Sequence, residues 1–139
     1  MAAITANAVT DLWSATSSWA VGVVPGSADT VTIPSGATIT VDTITAACAT
    51  LAGQSGGKLR ASRSASSKLT VTGAVTHAAG FKLDYGSEAD PITGVSAGIL
   101  CLGYTTTANS ALTEFRMWGD YKLPATEVQV GASSSTQEF

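Results

Sequence analysis

Few side chains in this sequence are of a type and spacing that could do chemistry. There is a single histidine, His77, in the run Ala-Val-Thr-His-Ala-Ala. Serines abound, but none sits in the Gly-x-Ser-x-Gly elbow that would present a nucleophile to it. A lone histidine on a strand reads as a structural or surface residue. Asp84, Glu88 and Asp90 form the one close group of carboxylates. A glycosidase holds two carboxylates roughly 5–10 Å apart across a sugar cleft. These three instead fall in and beside a Gly-Ser-Glu-Ala-Asp-Pro turn, where carboxylates accept backbone N–H groups. A hard cation such as calcium wants six or more oxygens, more than this turn supplies. The segment Gly53-Gln-Ser-Gly56-Gly57-Lys58 is glycine-rich but lacks the spacing of a phosphate-binding loop. Cys48 and Cys101 lie in apolar runs, and neither has a Cys or His neighbour at metal-ligand spacing. They read as two buried reduced thiols, the alternative being a disulfide between adjacent coils. The sequence therefore assigns no catalytic residue, no metal ligand and no cofactor site, and the expectation is a protein that is not an enzyme.

What must these residues be mounted on? The chain has 139 residues, of which 45% are hydrophobic and 12% charged. That is the length of one domain with enough apolar material for a core, and about half the usual share of charge. Threonine and serine take the place of the missing charge, and β-branched threonine suits a pleated surface better than a helix. The net charge of −3 selects no partner by itself. Four of the seven basic residues, Lys58, Arg60, Arg63 and Lys68, fall in one serine-rich stretch. No aromatic is interleaved with them, which argues against nucleic acid. The stretch reads as a solvated loop or strand edge, a place that could meet an acidic partner surface. The amino terminus lacks the basic and apolar regions of a secretory signal. No apolar run approaches the roughly 18 residues that would span a bilayer, so no membrane partner is expected.

Short alternating runs recur along the chain. Thr30-Val31-Thr32-Ile33 and Thr38-Ile39-Thr40-Val41-Asp42 flank a Pro34-Ser35-Gly36 turn. The runs 58–60, 68–72, 81–85, 99–102, 114–118 and 127–130 follow. Several stand after glycine, at Gly36, Gly57, Gly80 and Gly98, and their irregular spacing resembles the repeat of a coiled β-solenoid. No stretch keeps a 3.6-residue apolar period; one short helix at most is allowed, near 10–17 or 44–51. The predicted fold is all-β: a short, β-helix-like solenoid forming a single domain with extended terminal arms. Residues 1–12 are read as an arm or a capping strand, 13–130 as the β-domain, and 131–139 as a polar tail. The ends of such a coil are open sheet edges. Trp13 and Trp19 near one end, and Trp118 and Tyr121 near the other, are candidates to cover them, or simply to fill the core. At least one of Trp13 and Trp19 is expected to be buried against Val31, Ile33 and Ile39. The terminal segments 1–9 and 131–139, poor in apolar side chains, are expected to serve attachment, with Ile4 and Phe139 as apolar points.

Two blocks of the sequence resemble a known family. Trp13-Ser14, then Trp19-Ala-Val-Gly22-Val-Val-Pro25-Gly26-Ser-Ala-Asp29-Thr-Val31-Thr-Ile33-Pro-Ser-Gly36, is similar to the opening of the eight-glycine (G8) domain. Ile39-Thr-Val41-Asp42 matches its following strand. Lys82-Leu83-Asp84-Tyr85-Gly86-Ser87-Glu88-Ala89-Asp90-Pro91 resembles its second hallmark. The resemblance runs from about Trp13 to Gly119 and weakens towards Gly98-Ile99-Leu100 and Arg116-Met117-Trp118-Gly119. It implies a β-rich, coil-like module without a catalytic centre, of a kind found in extracellular proteins linked to polysaccharides. Similar turn patterns occur in phage surface proteins. Small size, low charge and the lack of a signal lead to the expectation of a virion structural protein made in the host cytoplasm. The form expected is a phage capsid decoration, or cement, protein on the capsid surface, with the major capsid protein and further copies of itself as partners, three copies being favoured. The alternative is a carbohydrate- or receptor-binding module of a tail fibre or surface protein.

Overall fold

The computed structural model describes residues 1–85, 92, 94, 95, 97–101 and 114–117. Among them the chain is all-β and winds into a parallel β-solenoid of about three turns. The strands are β1 (Ala3–Thr5), β2 (Thr10–Leu12), β3 (Thr30–Ile33), β4 (Thr38–Val41), β5 (Ala46–Cys48) and β6 (Thr50–Gly53). They continue as β7 (Lys58–Ala61), β8 (Ser67–Val71), β9 (Val75–His77), β10 (Lys82–Tyr85), β11 (Ala97–Cys101) and β12 (Glu114–Met117). Three sheets result, with strand orders β1-β3-β6-β9, β12-β10-β7-β4-β2 and β11-β8-β5. Every pairing between these strands is parallel. Neither helix position allowed by the sequence is an α-helix; 10–17 holds β2 and a single 3-10 turn, Thr16–Ser18, and 44–51 holds β5 and the start of β6.

Alternation explains the architecture. β3, β4, β6 and β7 each place every second residue in the core. Parallel register then stacks like on like. Val31 lies between Ile4 and Leu51, with Val75 beyond; Ile39 leads to Leu59 and Leu83; Ala46 leads to Leu69 and Ile99. Burying a side chain of this size removes it from water at a gain of about 1.5–3 kcal/mol. The narrow bore accepts alanine, valine, isoleucine and leucine, and makes room for Phe81 by having no side chain at Gly53. A Cβ at Gly53 would lie 2.4 Å from the Phe81 ring.

One corner is built three times. Ala37 N–H donates to Pro34 O, Gly57 N–H to Gln54 O, and Phe81 N–H to Ala78 O, each closing a four-residue turn. The third residue of each turn is a glycine with positive φ: Gly36 at 80°, Gly56 at 79° and Gly80 at 86°. That is the type II turn, which demands a residue free to enter the left-handed region. The turns also bond to one another, Gly36 N–H to Gly56 O and Gly56 N–H to Gly80 O. The corner glycines thus include Gly56 rather than its neighbour Gly57. Gly98 marks no corner, since it lies within β11.

The amino-terminal segment is part of the coil. Ile4, read from sequence as an apolar point on an attachment arm, is buried in the core, and β1 and β2 extend two of the sheets. The third sheet begins only at β5. The chain between β2 and β3 is held to the first turn of the coil by an antiparallel bridge from Trp19 to Ala6 and by Ala20 N–H donating to Thr5 O.

Candidate functional site

The fold offers two kinds of surface to a partner, the coil end near Trp13 and Trp19 and the outward faces of the sheets. At the end, both indoles are buried, meeting edge to face with ring centroids 4.9 Å apart. Trp19 Nε1 donates to Trp13 O at 3.0 Å. Both rings belong to the same core cluster as Val31, Ile33 and Ile39, so the expected closure of the core involves the two tryptophans together. Trp13 Nε1 is buried without a hydrogen-bond partner among the described residues. Trp118 and Tyr121, the candidates for the other end, lie outside the described residues.

Aspartates fasten this end. Asp29 accepts from Ala2 N–H at 2.7 Å and Gly26 N–H at 3.0 Å, while its own carbonyl accepts Ala49 N–H. One residue therefore ties three levels of the coil. The N–H of Gly26, then that of Ala2, holds the Asp29 carboxyl below its ordinary pKa. Asp11 is likewise lowered, first by the Ser17 hydroxyl and then by Leu12 N–H. Asp42 accepts from both Ser14 Oγ and Ser14 N–H. Asp29 and Asp42 both bond backbone N–H groups in this way.

The two longest sheets present different faces. On the sheet containing β3, the outward register rows hold Ala3, Thr30 and Thr50, and Thr5, Thr32, Ala52 and Thr76. On the neighbouring sheet, the rows are Thr10, Thr38, Lys58 and Lys82, and Leu12, Thr40, Arg60 and Asp84. Asp84 makes ion pairs with Lys58 Nζ at 3.1 Å and Arg63 Nη2 at 2.6 Å. Arg63 also donates to Ala61 O, fixing its guanidinium across the corner after β7. The basic stretch thus maps partly to a strand face, at Lys58 and Arg60, and partly to the corner that follows. Lys82 joins it from the next turn of the coil, an addition its linear distance hid.

The remaining sequence candidates are dispersed. His77 ends β9, opposite Gly53, on a different sheet from Asp84. Glu88 and Asp90 lie outside the described residues. Among the described residues, no group of three or more His, Cys, Asp or Glu side chains could hold a metal ion. Cys48 is buried, and both it and Cys101 are register partners of Val71. The cysteines therefore stand two strands apart, about 9–10 Å at the usual strand spacing. A disulfide needs Cα atoms within about 7 Å, so this backbone does not bridge them. Among the described residues, no helix is long and apolar enough to cross a membrane.

Comparison with known proteins adds a family. No match was found among curated proteins or among solved structures. Residues 18–130 match the G8 domain, a span that takes in the opening block from Trp19 to Gly36 and all the strands from β3 onward. The chain belongs to the G8 domain family.

Proposed function

We propose that this G8-domain chain is a non-enzymatic structural protein that works by covering and being covered, with the surface of a phage capsid as its place and shell stabilisation as its effect. The observation that carries this reading is the outward face of the β1-β3-β6-β9 sheet. Its register rows consist of threonine and alanine alone. Short side chains on a rigid pleated surface allow close approach over an area, and they cost little side-chain entropy when covered. Charge on this face would have to be desolvated or paired on contact; there is none. The low overall charge, 12% of residues, points the same way. In this role the protein bridges neighbouring subunits of a shell and adds interface area; self-association into a trimer would multiply the contact. The carbohydrate-binding alternative draws no support from an aromatic platform: Trp13, Trp19, Phe81 and Tyr85, the aromatic side chains described, are all buried.

The test is to mix purified protein with capsids that lack it and measure bound protein per capsid. Saturable, stoichiometric binding that raises the temperature at which the shells break supports the proposal. Binding to host polysaccharide with none to capsids overturns it.

A further inference from the structure

A parallel coil has two raw ends. At the amino-terminal end the outermost strands are β1 and β2, each the last member of its sheet. An outermost strand turns N–H and C=O groups towards whatever comes next, and another strand can pair with them. For this coil the ready partner is a second copy, because β9 and β12 end the same two sheets on the other side. Joining one end to the other is a head-to-tail contact, and such contacts build open-ended filaments when the rotation does not close a ring.

Which groups point outward follows from the ladder. Ala2 O accepts Thr30 N–H and Ala6 N–H donates to Thr32 O. Alternate residues face the neighbouring strand, so Ala3, Thr5 and Asn7 turn their backbone groups away from β3. Val9 O accepts Thr38 N–H and Trp13 N–H donates to Thr40 O. Thr10 and Leu12 therefore turn away from β4.

The chain after β2 takes up most of these outward groups. Ala20 N–H donates to Thr5 O at 2.9 Å, and Asn7 N–H donates to Ser18 O at 2.8 Å. The Asn7 side chain donates to Ser17 O at 2.8 Å. Residues 18–20 thus lie along the end of β1 as a short antiparallel segment, against the sense of the strand pairings in the coil. They fill the place of a next turn and cannot continue it. On β2, Leu12 N–H donates to its neighbour Asp11 Oδ1 at 2.9 Å. Leu12 O accepts both Ala15 N–H and Ser18 Oγ. Ser17 Oγ holds Asp11 Oδ2 at 2.6 Å. Among the described residues, Ala3, Thr10 and the Thr5 N–H stay open, too short a run for a partner strand to follow.

We propose that residues 11–20 form a strand-edge plug that stops a second copy from joining at the amino-terminal end of the coil. Copies and other partners then meet this protein through the sides of its sheets. The inference goes beyond the capsid reading and does not depend on it. Closing the core does not by itself require the plug: Trp13 and Trp19 belong to the buried cluster, whereas Asp11, Leu12 and Ser17 lie outside it. Their bonds serve the backbone edge instead, as local side-chain bonds do when they compete with a ladder.

The experiment uses the full chain. Asp11→Ala with Ser18→Ala removes the side-chain groups that engage Leu12, and folding is checked by circular dichroism. Sedimentation across a wide range of concentration reads the mass. The wild type is expected to keep one mass throughout. The double variant is expected to gain mass with concentration, by about twofold or more and without a fixed limit, as head-to-tail contacts do. Electron microscopy should show it as linear chains. Asp11→Asn keeps an acceptor oxygen and is expected to behave as wild type. Should the double variant not fold, Asp11→Ala alone carries the test, with a smaller gain in mass. A folded variant of unchanged mass overturns the inference, as do amorphous aggregates or a wild type that itself grows into chains. Equal growth in Asp11→Asn overturns it too, because lost charge rather than an opened edge would then be the cause.

Discussion

The two outward faces on either side of the glycine corner share a backbone and little else. On one, the register rows run through Ala3, Thr5, Thr30, Thr32, Thr50, Ala52 and Thr76; on the other they pass from Thr38 and Thr40 to Lys58, Arg60, Lys82 and Asp84. Beneath both lie aliphatic stacks of the same kind, Ile4-Val31-Leu51-Val75 and Ile39-Leu59-Leu83. The inward residues and the turns set the coil, and the outward residues are free to differ. Such faces record what the protein meets, since the fold imposes so little on them.

That separation can be broken most forcefully from the inside. Trp19→Ala removes a fully buried ring and the bond from its Nε1 to Trp13 O. It should cost about 3–5 kcal/mol in urea unfolding, as large aromatic deletions do. A loss below about 1 kcal/mol would mean that the Trp13–Trp19 pair is not part of the core both faces share. Gly56→Ala forces a Cβ into left-handed backbone and to within 2.8 Å of Ser35 Oγ. A cost of about 1–3 kcal/mol is expected, read from the same unfolding curves.

Outward changes should do less. Asp84→Asn removes the partner of Arg63, whose side chain is 16% exposed. The expected loss is about 1–2 kcal/mol, between the exposed and buried cases. Replacing Lys58 and Arg60 together by threonine, to copy Thr38 and Thr40, should leave stability within about 0.5 kcal/mol in urea unfolding. A large destabilisation there would show that the charged face serves the fold and that the contrast with the threonine face is accidental.

The smallest effect concerns acid. Asp29 and Asp11 have folded pKa values below their ordinary 3.8. Their contribution is therefore complete above about pH 4, the unfolded value, and is lost as the pH falls through the folded values. Both aspartates are half-buried at the surface, so a modest loss of stability is expected in strong acid, and Asp29→Asn should flatten it. Hydrogen exchange at Ala2 and Gly26, which bond to Asp29, should rise first. Uniform exchange across the coil would point to global unfolding instead.

How much of this was legible in the sequence follows from strand length and from corners. Thr30–Ile33 and Thr38–Val41 alternate cleanly and are flanked by a Pro-Ser-Gly turn, so both strands and their bend could be read. Ala46–Cys48 and Thr50–Gly53 are not legible, because a three- or four-residue run rich in alanine has no period to measure, and Ala3–Thr5 falls in a segment that reads equally as an arm or a capping strand. In a narrow bore such small residues suffice, since the register neighbours Leu69, Val31 and Leu51 supply the bulk. Glycine is an imperfect marker of corners: Gly98 precedes an apolar run, yet its φ is not positive and it lies within β11. In the sequence Asp84 stands beside the Gly86–Pro91 turn. Its actual partners, Lys58 and Arg63, lie one coil away, and only the parallel register brings them to it.

The stacked turns at Gly36, Gly56 and Gly80 have a consequence for where this molecule can grow. Each turn has the same four-residue form, and hydrogen bonds link it to the turns beside it. A residue added there would disturb every level at once. The other corners already vary: residues 42–45 separate β4 from β5 and 62–66 separate β7 from β8, while a single residue joins β5 to β6 and three join β8 to β9. One seam of the coil is locked and two are elastic. Since doubling a loop costs only about 0.6 kcal/mol in closure entropy, a peptide inserted at the exposed Ser64 or Ser66 should be carried without loss of the fold, whereas the same insertion at Ser55 should not.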